Sequence, residues 1–162
     1  DNICFPDGLA MGEDAEFVLK YIISVSNFFV LDELLYVYSV SDTSVTSSPF
    51  KLNWAFYQET RYFLWDEYFE KMKLDRMELN HYIVVQMLLI GARVSGSNPI
   101  RPAIKVCKEI FYRPRMQQAA MELEHSTKDF LISRLVRKKC ECVFLCICLC
   151  MGVVRHLKKK VR

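Results

Sequence analysis

The spacing of apolar side chains divides the chain into a short mixed segment and a long helical one. Val18, Tyr21, Ile22 and Val25 fall on one helical face with Phe17 beside them, which predicts a helix over 14–26. Residues 28–31 form a brief apolar run and read as a strand. Asp32-Glu33 reads as a turn, and 34–41, rich in β-formers with Tyr36 and Tyr38 on one face, as a second strand. Residues 1–10, with Phe5-Pro6-Asp7-Gly8, and the small polar stretch 41–49 read as loops.

From residue 51 the period is helical throughout. Trp54, Tyr57, Leu64, Trp65, Tyr68 and Met72 recur at spacings that predict a helix over 51–73. Residues 79–94 are apolar nearly all round, the pattern of a buried central helix, which Ser95-Gly96-Ser97-Asn98-Pro99 ends. Ala103, Ile104, Cys107, Ile110 and Phe111 make the next stripe. Arg113-Pro114 interrupts it, and a short helix through Met116, Ala119, Ala120 and Leu123 follows. Ser126 as N-cap and Asp129 three residues later fit a capping box, so the last helix is expected to run from 127 toward the C-terminus, loosened at Gly152.

Composition narrows the class. Apolar residues make up 52% of 162, enough for a sizeable core, and five Gly with five Pro are too few for a turn-rich all-β sandwich. The chain opens on Asp1 with no leader-like segment, which suggests the interior of a larger protein. Net charge is +3, but residues 134–162 hold nine Lys/Arg against one Glu, or +8, leaving −5 on residues 1–133. A basic tail on an acidic body points to an anionic partner. Five of seven cysteines lie between Cys140 and Cys150, an odd count in one apolar stretch that reads as free thiols rather than a disulfide framework.

The stretch with most chemical content is Met11-Gly12-Glu13-Asp14-Ala15-Glu16-Phe17, where two carboxylates open a helix. Acidic residues are favoured in any first turn, by about 0.3–1 kcal/mol each, so the pair alone reads as capping. The order of features adds to it. Gly12-Glu13-Asp14, Phe17, a helix, Leu34-Leu35-Tyr36-Val37-Tyr38 and Ser44-Val45-Thr46 together resemble the end of the catalytic domain of family 2 glycosyltransferases, the inverting enzymes of bacterial capsule, exopolysaccharide and lipopolysaccharide assembly. The likeness spans residues 3–47. It implies that Asp14 is the general base, taking a proton from an acceptor hydroxyl that attacks the anomeric carbon of a nucleotide-diphospho-sugar. It also implies that Glu13 and Gly12 lie at the acceptor site and that Phe17 packs the helix on a sheet. Two positions depart from the pattern: Ser39 stands where the family commonly has Arg, and Thr43 where it has Gly. The family holds Mg²⁺ or Mn²⁺ through an Asp-x-Asp motif on a Rossmann-like half, and no Asp-x-Asp occurs here. No cofactor or metal is therefore expected in this fragment, though one is expected in the full-length enzyme.

The expected fold is mainly α: a short β-containing remnant of a GT-A (Rossmann-like α/β) catalytic domain over 1–48, a helical accessory region over 49–124 and a basic/apolar helix over 125–162. The function implied is a fragment of an inverting glycosyltransferase acting on a nucleotide-diphospho-sugar and a saccharide or lipid-linked acceptor. The alternative is a non-catalytic helical module that docks on a membrane or protein. Cys142 to Val154 is an uncharged run of thirteen residues bracketed by Arg and Lys. As a helix it spans about 20 Å, short of the ~30 Å hydrocarbon core. It is expected to lie on an anionic membrane surface, placing the protein in the cytoplasm at the inner face of the cell membrane. A buried core helix is the competing account of the same run.

Cys140, Cys142, Cys146, Cys148 and Cys150 lack the paired spacing of a zinc site; on a helix Cys142, Cys146 and Cys150 share one face, while Cys140 and Cys148 point elsewhere. No histidine among His81, His125 and His156 has metal spacing. Ser44 and Thr46 read as turn and strand-end residues rather than nucleophiles. Trp54, Tyr57, Tyr62, Trp65 and Tyr68 read as core before they read as a sugar-stacking platform. Lys158-Lys159-Lys160 lacks the interleaved aromatics of a nucleic-acid surface.

Overall fold

The computed structural model describes Cys4 and residues 13–27, 29–33, 50–52 and 54–160. Among these it is mainly helical, with seven helices and no strand. The chain divides into two compact units, 1–49 and 50–162.

In the first unit, α1 spans Glu13–Ser24, where the apolar spacing predicts a helix over 14–26; it ends before Val25. Its apolar residues are only partly covered: Val18, Tyr21 and Ile22 are each about half exposed and Phe17 is half-buried, while Glu16 is fully buried. Residues 29–31 do not form the expected strand. Phe29, Val30 and Leu31 are exposed, and a strand exists only through ladder partners for its backbone. The second expected strand, 34–41, lies outside the described residues, as do Gly12, Ser44 and Thr46.

The second unit is a bundle built on one helix. It comprises α2 (Trp54–Lys71), α3 (Arg76–Ser97), α4 (Ile100–Phe111), α5 (Pro114–Glu122), α6 (Leu131–Arg137) and α7 (Glu141–Lys160). Asp75 caps α3 by accepting from the Met77 N–H at 2.8 Å. Asn98 closes it, donating to Val94 O at 3.0 Å and to Phe50 O at 2.9 Å. As its all-round apolar pattern requires, α3 touches each of the other five helices, most extensively α7. Leu79, Ile83, Val84, Met87, Ile90 and Val94 form its buried core. Pro114 opens α5, where its missing N–H costs nothing, and Met116, Ala119, Ala120 and Leu123 are all buried.

The expected single last helix is two. Asp129 does not serve as the far half of a box on Ser126, because its carboxylate is taken by Ser133, Arg134 and Arg137. The first helix therefore starts later, with Phe130 at the N-cap donating its N–H to Ser133 Oγ at 3.0 Å. It ends at Arg137, and the turn after it passes through Lys139, whose φ of 53° is left-handed, with the Cys140 N–H reaching back to Leu135 O at 2.9 Å. Lys73 turns the chain in the same way after α2, with Leu74 N–H on Phe69 O at 2.9 Å.

Gly152 does not loosen α7, which runs unbroken past it. A Cβ there would sit 2.7 Å from Gly96 N and 2.7 Å from Ser95 Cβ, and a Cβ on Gly96 would sit 2.7 Å from Gly152 O. The two backbones touch because neither residue has a side chain. An alanine in an open helix position stabilises by about 1 kcal/mol over glycine. Gly152→Ala should instead destabilise by about 1–3 kcal/mol, the cost of overpacking against atoms that cannot yield, as read by denaturant unfolding of the chain.

Candidate functional site

The predicted general base, Asp14, and the predicted acceptor-site Glu13 sit at the start of α1. The helix begins at Glu13, and Asp14 occupies its first turn, exposed to solvent. Its Oδ1 accepts the Ala15 N–H at 2.7 Å, one of the donors that a helix start leaves without an intrahelical partner. An exposed carboxylate anchored by one oxygen can accept a proton from a hydroxyl brought to it. Glu16, which has no role in the sequence reading, is a buried carboxylate of this segment, and Lys20 lies one turn on with its Nζ 3.6 Å away. The spacing Glu16-x-x-x-Lys20 carries that pair, but nothing in the pattern marks Glu16 as buried. Phe17 is half-buried.

The bundle carries its own polar clusters, and they are structural. Arg115 of α5 is buried, and its Nη2 donates to Asp66 Oδ1 of α2 at 2.7 Å and to Asn80 Oδ1 of α3 at 3.0 Å. Asn80 in turn donates to Glu122 Oε2 at 2.7 Å. One guanidinium thus pins three helices, and its Nε and Nη1 stay buried without hydrogen-bond partners. Near it, the Arg61 guanidinium lies 4.8 Å from the Trp65 ring, and Trp65 stacks on Tyr82 at 5.3 Å. Trp54 and Tyr62 are buried, so these two aromatics belong to the core. Burial is the first cause pushing the Tyr62 hydroxyl above its ordinary range.

The cysteines divide by face. Cys142, Cys146 and Cys150 are exposed, Cys140 is half-buried, and Cys148 is buried, which matches the helical reading of their spacing. Cys148 meets Cys107 of α4 beside Gly91, and Cys107 Sγ also lies 3.5 Å from Ser95 Oγ. Cys107 and burial together push the Cys148 thiol up. Among the described residues no group of three or more His, Cys, Asp or Glu is placed to hold a metal ion. His81 packs on Phe130 with ring centres 4.9 Å apart, while His125 and His156 are exposed.

One ion pair holds the start of α7 and another the end of α6. Glu141, in its first turn, accepts from Lys108 Nζ and Tyr112 Oη of α4, each at 2.8 Å. Asp129 grips Arg137 with both oxygens, Oδ1 to Nη1 at 3.0 Å and Oδ2 to Nη2 at 2.9 Å, and Arg137 Nη1 also donates to Ala120 O at 2.9 Å. No protein-family model matches the chain, and no curated protein or solved structure matches it either.

Arg137, then Ser133 and Arg134, hold the Asp129 carboxyl well below the ordinary range. A folded pKa depressed in this way contributes stability that is fully present above the unfolded Asp value of about 3.9 and is lost as pH falls through the folded one. Asp129→Asn should therefore destabilise the chain by about 1.5–3 kcal/mol at neutral pH, the range for hydrogen bonds to charged groups. The gap between variant and parent should stay constant down to about pH 4 and narrow below it. Urea unfolding of both proteins across pH measures it.

Proposed function

We propose that residues 1–48 are the C-terminal end of a GT-A catalytic domain and that Asp14 is the general base of an inverting glycosyl transfer. The observation that carries the reading is an exposed carboxylate in the first turn of a helix whose apolar face is half exposed. Asp14 is accessible to an acceptor sugar, and its Oδ1 is oriented by the Ala15 N–H. Val18, Tyr21 and Ile22 are exposed as they would be if the sheet they pack on came from another part of the protein. In such an enzyme the acceptor hydroxyl gives its proton to Asp14 as its oxygen bonds to the anomeric carbon. The bond from that carbon to the nucleotide diphosphate breaks, and the configuration inverts. Glu13 and Gly12, which precede the base, belong to the acceptor site. The donor and its Mg²⁺ or Mn²⁺ are held by residues this sequence does not contain, since it has no Asp-x-Asp.

The second reading is a non-catalytic helical module, favoured by the exposed apolar side chains of α7. Asp14 separates the two. In the full-length protein, Asp14→Asn should lower sugar transfer by about 10²–10⁴-fold, the usual contribution of a general base, with donor affinity unchanged. Transfer at the parent rate would remove Asp14 from the chemistry and leave the module.

A further inference from the structure

The outer face of α7 is apolar along its length. Phe144, Cys148 and Gly152 are the residues it buries in the bundle. At 100° per residue, Cys146, Cys150, Val153 and Leu157 lie on the opposite side, with Cys142, Val143 and Val154 beside them. All seven are exposed; Val143 is 48%, Val153 59% and Leu157 56% exposed. The stripe from 142 to 157 is about 22 Å long at 1.5 Å per residue. A continuous exposed apolar surface of this kind marks a contact site.

Charge identifies what it contacts. Lys138 and Lys139 are exposed in the turn before the helix, and Lys158 near its end. His156 and Lys158 stand about 100° to either side of Leu157. Glu141 is the helix's one acidic residue, and Lys108 and Tyr112 already hold it. A second copy laid on the stripe in either direction would set basic ends against basic ends with no carboxylate between them. An anionic bilayer surface meets both features, taking the apolar stripe at the headgroup boundary and the basic ends on its phosphates. Among the described residues no helix is long and apolar enough to cross a membrane, so the geometry is that of a helix lying in the surface plane.

We infer that the outer face of α7, from Cys142 to Leu157, seats the bundle on an anionic lipid surface. The contact is independent of Asp14 and of any sugar, so its failure leaves the catalytic reading untouched, and the converse holds.

The test is flotation of the whole chain with phosphatidylcholine vesicles, with and without phosphatidylglycerol. The parent should bind the anionic vesicles at least about tenfold more than the neutral ones, given roughly 1 kcal/mol per basic residue at the surface, and release as salt rises. The double variant Val153→Glu/Leu157→Glu should lose binding to both while keeping its helical circular dichroism and melting temperature, because both side chains are exposed. Lys138→Gln/Lys139→Gln/Lys158→Gln should reduce binding to the neutral-vesicle level. A parent that does not float, equal binding to both vesicles, or a glutamate variant that floats like the parent would each overturn the inference. So would sedimentation showing a parent dimer that the glutamate variant converts to monomer, since the face would then belong to a second copy.

Discussion

The bundle depends on the contact of two helix backbones. Gly96 and Gly152 remove the side chains that would hold α3 and α7 apart, and Gly91 makes room for the Cys107 and Cys148 thiols along the same seam. Because α3 also touches α2, α4, α5 and α6, the seam ties α7 to the element around which the bundle is arranged. It also fixes rotation: with Phe144, Cys148 and Gly152 turned inward, the stripe through Cys146, Cys150, Val153 and Leu157 must face out.

Polar contacts hold the ends of the elements rather than their middles. Glu141 anchors the start of α7 to α4, and Asp129 anchors Arg137, near the end of α6, beneath the α5 carbonyl of Ala120. Between these two clamps the chain turns through left-handed Lys139, a conformation that costs an L-residue about 1–2 kcal/mol. Arg115 works differently, binding Asp66 and Asn80 inside the bundle. Removing one partner of such a buried pair is far more costly than never having had it, because the other charge is left behind.

What could be read from the sequence was what repeats. The all-round apolar pattern of 79–94 marked the central helix, Pro114 marked a helix start, and the four-residue spacing of Cys142, Cys146 and Cys150 placed them on one face away from Cys148. Long-range chemistry was not legible. Ser126 and Asp129 have capping-box spacing, but Arg137, eight residues beyond Asp129, competes for its carboxylate and wins with two hydrogen bonds. Gly152 has the form of a helix breaker until Gly96, over fifty residues away, is seen against it. Residues 28–31 have strand composition, but composition supplies no ladder partner. Of the candidate site, the existence of a helix and the first-turn position of Asp14 followed from local pattern, though the helix begins at Glu13, one residue before the expected start. The burial of Glu16 did not, because nothing in a run of alternating acidic and apolar residues says which side is covered.

The central structural claim is that one face of α7 is committed to the glycine seam and the other to an anionic surface. The native cysteines report on both faces at once. Mass spectrometry after a brief maleimide pulse, on the unmodified chain with and without anionic vesicles, resolves each thiol. Cys142, Cys146 and Cys150 should label in solution and become protected on vesicles. Cys107 and Cys148 should stay unlabelled in both, and exposed Cys4 should label in both. Labelling of Cys148 alongside its neighbours would contradict the seam, and unchanged labelling of the outer three on vesicles would contradict the surface.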